Sequence, residues 1–265
     1  MTDTQNEVFK TPVNKIRLFE HGAPGSQNLK LTRKYYTEDM PDGRVKHIVQ
    51  NITDPDIVPY IPDGIGNSTD RQRIPAVLII PGGAFRRLVY NFEGEDVAKW
   101  LNSMGIAAFV LECRLPSDEH DNAEDVPLID AMRAMRVIRG RAQEFGIDEA
   151  KIGVMGFSAG GFMAALLSTA YESDVYADYK YKDEYDKLSA RPDFAVCSYP
   201  VISIDDCIEA GKRYMSEEQV LERISDSKAK ILHKYNPDKL VRPDMPPVFI
   251  LSLIHISEPT RLRRI

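Results

Sequence analysis

Cysteine and histidine are scarce in this chain, with three of the first and five of the second in 265 residues. The cysteines are Cys113, Cys197 and Cys207, an odd number and too few for a disulfide framework. Cys113 and Cys197 lie at or near the ends of apolar runs, where a buried structural thiol is expected. No Cys/His group has metal-ligand spacing, so neither a metal nor an organic cofactor is expected. No apolar run approaches the ~18 residues of a membrane span. An excess of basic charge is missing too: 34 Lys and Arg against 40 Asp and Glu leave a net charge of −6. The chain therefore carries no electrostatic footprint for nucleic acid or an anionic membrane, and neither is expected as a partner. The first residues, Met1 to Glu7, have no basic or apolar region of a secretory leader, so a cytoplasmic location is expected.

What is present is strand and helix in alternation. Residues 1–28 show little periodicity and read as an extended lead-in. Leu29–Tyr36 and Val45–Tyr60 alternate in part and predict two or three strands, antiparallel to one another. From Pro75 the character changes. Ala76–Ile80, Ile106–Leu111, Lys151–Met155 and Phe194–Ser198 are short apolar runs that suit strands buried on both faces. Between them, Glu95–Met104, Leu128–Phe145 and Gly160–Ala170 read as helices, the first two closed by Gly105 and Gly146. This order predicts an α/β fold, a mostly parallel sheet with helices on both faces. Tyr171–Tyr185, rich in Tyr, Asp and Lys, reads as a solvated surface loop. A polar, helical-looking stretch runs from Tyr199 to about Leu240, and a further strand begins at Val248–Ile250.

The sharpest chemical signal is Gly156-Phe157-Ser158-Ala159-Gly160, a G-x-S-x-G string between a strand-like and a helix-like segment. That is the strand–turn–helix setting of a nucleophile elbow. Small residues two positions either side of the serine let strand and helix approach, and the hydroxyl projects at a helix N-terminus, where developing negative charge is favoured. A dinucleotide fingerprint would need glycine where Ser158 stands. Ser158 is thus the candidate nucleophile. Oxyanion donors are expected from the backbone N–H after the serine, Ala159, and from the Pro81-Gly82-Gly83-Ala84-Phe85 turn that follows an earlier strand.

These strings, with Glu93–Leu111, Arg114-Leu115-Pro116, Asp130–Ala134 and Tyr199–Ser203, resemble the α/β-hydrolase superfamily. More closely, they resemble acetyl-esterase and acetylxylan-esterase-like carbohydrate esterases. The resemblance covers roughly Pro59 to Ile250. It implies a serine carboxylesterase acting on small acyl esters, acetyl above all, with a small ester or an acylated carbohydrate as substrate partner. It implies oxyanion donors at Gly83, Ala84 and Ala159, with Pro81 and Ala84 standing where relatives have histidine and a third glycine. It also makes Phe85, Phe157 and Tyr199 candidates for lining the acyl pocket, though as aromatics beside buried strands they suit the core equally well. A serine peptidase of the same fold and a non-catalytic binding protein remain as alternatives.

The superfamily order is Ser, then Asp or Glu, then His. No Asp follows the Val248 strand. Instead, Leu251–Arg261 resembles the in-frame translation of a common transposase-based sequencing adapter. Residues 1–250 are accordingly read as a single hydrolase domain, truncated before its last strand and helix, and 251–265 as a non-native tail. Asp205 or Asp206 with His233 keeps the chain order, but His233 reads as a partly exposed helix residue, and no acid or base is assigned. Without one, the 265-residue chain is expected to be inactive.

Overall fold

The computed structural model describes residues 9, 13–65, 73–203, 209, 212, 216, 218, 219 and 227–252. Ten strands and five α-helices are found among them. In chain order they are β1 (Ile16–Arg17), β2 (Lys34–Asp39), β3 (Val45–Gln50), β4 (Asp56–Tyr60), β5 (Ile74–Ile80) and β6 (Leu88–Val89). There follow α1 (Asp96–Ser103), β7 (Ala107–Glu112), α2 (Val126–Gly140), α3 (Ala142–Phe145) and β8 (Ile147–Phe157). The last are α4 (Ala159–Ala170), β9 (Ala195–Ser198), α5 (Ser227–Lys234) and β10 (Val248–Leu251).

Seven strands form the main sheet in the order β1-β4-β7-β5-β8-β9-β10. From β7 to β10 neighbours run parallel, while β4 and β1 add an antiparallel edge. The parallel part is covered on both faces, as parallel strands require. The α1 crossover from β5 runs to one side of β5, and the α2 and α4 crossovers run to the other. Right-handed connections therefore put α1 on one face, against β7 and β4, and α2 and α4 together on the other, against β8. β7 is buried along its whole length, and β5 from Ala76 onward, which is why their sequences are unbroken apolar runs. α4 is apolar all round and buried except at its last residue, as expected of a helix wedged between sheet and neighbour. A small second sheet, β2-β3-β6, is antiparallel throughout and flanks the start of α1.

Three readings from sequence are amended. The expected Leu128–Phe145 helix is two helices, because Arg141 leaves helical geometry at φ −102° and ψ 16°. The Tyr171–Tyr185 segment is solvated over most of its length, as expected, but Tyr171 and Tyr176 are buried and anchor it. α2 holds the segment with arginines three apart on one helix face. Arg133 donates to Asp183 at 2.7 Å and Arg136 reaches the Tyr176 hydroxyl, while Arg139 holds the chain just beyond the segment by donating to the Arg191 carbonyl at 2.9 Å. The lead-in also packs, burying Leu18 and Phe19, with the Phe19 ring edge-on to Tyr176 and Tyr179. Cys113 and Cys197 are buried free thiols, as expected. Cys207, Asp205, Asp206 and residues 253–265 lie outside the described residues. Among the described residues, no helix is long and apolar enough to cross a membrane, and no group of His, Cys, Asp and Glu is arranged to hold a metal ion.

Candidate active site

Ser158 sits at the junction of β8 and α4 with φ 52° and ψ −115°. A non-glycine residue there costs about 1–3 kcal/mol and persists only where its surroundings impose it. The surroundings are visible. Its N–H donates to the Ser198 carbonyl at the end of β9 (2.9 Å), and its carbonyl accepts the first helical bond from Phe162 (3.0 Å). A methyl group on Gly156 would lie 2.0 Å from the Gly160 carbonyl oxygen, and one on Gly160 would lie 2.0 Å from the Ile80 carbonyl oxygen. Both flanking positions therefore admit only hydrogen, and the bend stays tight because nothing larger separates β5, β8 and α4.

The turn after β5 lies beside it. A methyl on Gly82 would stand 3.1 Å from Ser158 Cβ and 2.4 Å from the Phe157 carbonyl oxygen. The sequence thus brings together the two Gly-containing turns, 76 residues apart in the chain at Gly82 and Ser158, because β5 and β8 are parallel neighbours that end at the same level with Ile80 opposite Gly156. Gly83 takes φ 139°, and Ala84 and Phe85 both sit in the left-handed region at φ 57° and 59°. The N–H groups of Gly83, Ala84 and Ala159 have no hydrogen-bond acceptor among the described residues, whereas the Gly82 N–H donates to Glu93 Oε2 at 2.7 Å.

The three aromatic candidates divide. Phe85 is buried, edge-on to Phe162, and lines a narrow cleft with Gly82, Arg87, Leu115, Ala159 and Met163. It is core and cleft wall at once. Phe157 and Tyr199 are half-buried and face each other, with ring centres 6.1 Å apart. Tyr199 has φ 39°, and its hydroxyl donates to Glu93 Oε1 at 2.9 Å. Burial, with the charge of Glu93 beside it, pushes the Tyr199 hydroxyl well above the usual range for tyrosine. Glu93 is the residue that sequence reasoning missed. It opens the Glu93–Leu111 string, but nothing local to it signals partners at positions 82 and 199.

Among the described residues no histidine bonds to Ser158. His120 is buried against the Ser26 hydroxyl (3.0 Å), His47 stacks on the Phe9 ring, and His21 packs at a tilt against the Tyr181 ring. His233, at the end of α5, is exposed as expected.

Comparison with known proteins gives the family and the fold. The BD-FAE family matches residues 65–253, which include both turns, Ser158 and Glu93. An acetylxylan esterase of Xylanibacter ruminicola is 30% identical over 178 residues, 67% of this chain and 32% of that protein. The chain thus spans about a third of that relative's length. A crystal structure of an acetyl ester-xyloside bifunctional hydrolase from Caldicellulosiruptor lactoaceticus superposes with a TM-score of 0.56 and 35% identity, covering 76% of this chain and 66% of that one. A thermophilic esterase of Thermogutta terrifontis, at 21% identity and TM-score 0.54, shares the fold over 88% of this chain and 76% of its own. With the fold that of an α/β-hydrolase and most of the chain inside the match, this chain belongs to the BD-FAE family.

Proposed function

We propose that this chain carries the acyl-transfer centre of a serine carboxylesterase, with Ser158 as nucleophile. The Ser158 hydroxyl attacks the ester carbonyl, the alcohol leaves, and water releases the acyl group from the serine. The N–H groups of Gly83, Ala84 and Ala159 receive the negative charge that develops on the carbonyl oxygen, each such donor contributing about 2.7–4 kcal/mol. Phe85, Phe157 and Tyr199 bound a site for a small acyl group. Acetyl esters, including those on carbohydrate, are the proposed substrates, in keeping with the names of the relatives. Residues 1–250 are read as one domain, with 251–265 a tail of separate origin, and the protein as cytoplasmic, on the odd count of cysteines.

The observation that carries this reading is the strained turn at Ser158, φ 52°, packed against the turn at Gly82. With no described base bonded to Ser158, turnover by the 265-residue chain is expected to be slow. Covalent labelling by a fluorophosphonate, which needs the same activated serine, is the direct test on a version that carries a catalytic acid and histidine C-terminal to Val248, with hydrolysis of p-nitrophenyl acetate measured alongside. The expected adduct is on Ser158 and is lost in Ser158→Ala. An adduct elsewhere, or equal labelling of Ser158→Ala, would overturn the assignment.

A further inference from the structure

We propose that Glu93 is a positioning residue for acyl transfer at Ser158, fixing the Pro81–Phe85 turn through the Gly82 N–H and orienting Tyr199 through its hydroxyl. The inference rests on the reading of Ser158 as nucleophile.

The geometry carries it. One point in space, where a Gly82 methyl would sit, lies 2.6 Å from Glu93 Oε2 and 3.1 Å from Ser158 Cβ. A carboxylate is therefore built in beside the nucleophile's side chain. Its two oxygens are divided between two donors from opposite sides of the site, Gly82 N–H at 2.7 Å and Tyr199 O–H at 2.9 Å. The support beneath it is rigid. Glu93 lies in a π-helical turn, Asn91–Glu95, that leads into α1. That turn is fastened to β3 by Asn91, whose side chain accepts from the His47 N–H (3.0 Å) and donates to the Val45 carbonyl (2.8 Å).

The turn needs such a clamp. Ala84 and Phe85 are consecutive non-glycine residues in the left-handed region, each at a cost that the surroundings must offset. Among the described residues, two other backbone bonds tie the turn: Val89 N–H to the Gly82 carbonyl (2.9 Å), and Arg86 N–H to the Gly83 carbonyl (3.2 Å). A charge-assisted bond to Gly82 is about twice as strong as a neutral one. It also occupies the Gly82 N–H, which leaves those of Gly83 and Ala84 to point elsewhere. The second donor has its own effect. An unquenched anion here would oppose the charge that forms on the substrate oxygen, and the Tyr199 hydroxyl, held protonated, spreads that charge.

The test compares Glu93→Ala, Glu93→Gln and Tyr199→Phe in the full chain by two readouts. These are the rate of fluorophosphonate labelling of Ser158 and the amide NMR signals and exchange protection of Gly82 to Ala84. In Glu93→Ala, labelling is expected to slow about 100-fold, the effect of a misplaced reacting group. The Gly82 amide should shift upfield and lose protection while Ala164–Leu167 in α4 keep theirs. Glu93→Gln, which retains an acceptor for Gly82, should stay within about tenfold of the parent chain. Tyr199→Phe should leave the Gly82 amide in place and slow labelling less than Glu93→Ala does. Wild-type labelling in Glu93→Ala, or an unchanged Gly82 amide, overturns the proposal, as does loss of protection throughout α4. If the parent chain itself is not labelled, the missing base accounts for it, and the Gly82 amide then decides the clamp alone.

Discussion

Replacing Gly160 by alanine tests the elbow through its tightest contact. The added Cβ would meet the Ile80 carbonyl oxygen at 2.0 Å and the Pro81 carbonyl oxygen at 2.8 Å. Both are backbone atoms of β5 and its turn, so neither can rotate away as a flexible side chain would. α4 must therefore move off β5 by about 1 Å, since Cβ contacts under 3.0 Å do not persist. Overpacking of this kind costs about 1–3 kcal/mol, and an ångström of displacement at a reacting group costs about 100-fold in rate. Gly161 is the internal control. A methyl there meets its nearest neighbour, the Ser198 carbonyl oxygen, at 3.0 Å and needs only a few tenths of an ångström. Urea unfolding of both variants, with fluorophosphonate labelling at Ser158, reads the two effects separately. Gly160→Ala should lose at least ~1 kcal/mol and label far more slowly, and Gly161→Ala should lose less of both. A Gly160→Ala chain as stable and as reactive as the parent would refute the claim that this contact sets the bend.

Two further outcomes concern the frame behind the site. Arg114 and Asp130 form a fully buried pair linking the end of β7 to α2, with Nη2 to Oδ1 at 2.6 Å and the Arg114 N–H to Oδ2 at 2.8 Å. Asp130→Ala leaves the guanidinium buried beside no carboxylate, and chemical unfolding should show a loss of about 3–5 kcal/mol. His120 is buried, and its pKa is lowered to about 4 by burial and by the Arg114 charge. The unfolded chain binds a proton near pH 6.5 that the folded chain refuses, so this group stabilises fully above that pH and progressively less down to about pH 4. Asp56, raised to about 6 by burial and by Glu112, acts in the opposite sense over nearly the same range, so the parent chain alone does not isolate the effect. The stability difference between the parent and His120→Gln should shrink by on the order of 3 kcal/mol from pH 7 to pH 4. A difference that stays constant across that range would sink the assignment.

The parts legible in the sequence were those whose cause is local. β5, β7 and β9 are bounded within two residues because runs buried on both faces need no alternation, and turns or glycines end them. The Ser158 bend was legible because Gly156 and Gly160 mark it directly. What sequence reading missed depends on distant partners. Tyr176 looks like a surface residue until Phe19 and Arg136 close over it, from 157 residues before and 40 before. The break at Arg141 lies inside an unbroken helical period, so periodicity could not show it. Glu93 was invisible as a site residue for the same reason, since its role is defined by Gly82 and Tyr199, which meet it only after the sheet has formed.

Tyr199 follows β9, between the elbow that ends β8 and the edge strand β10, and is held from both sides. Its backbone N–H is held by the Leu251 carbonyl at 2.6 Å, at the end of β10, while its ring oxygen is held by Glu93 beside the nucleophile. One residue therefore works as a lever arm between the rim of the sheet and the serine. The bond to its N–H is made by the backbone carbonyl of the first residue of the tail read as non-native, so any residue at 251 that keeps β10 in register with β9 supplies it, and the seating of Tyr199 depends on the last strand described.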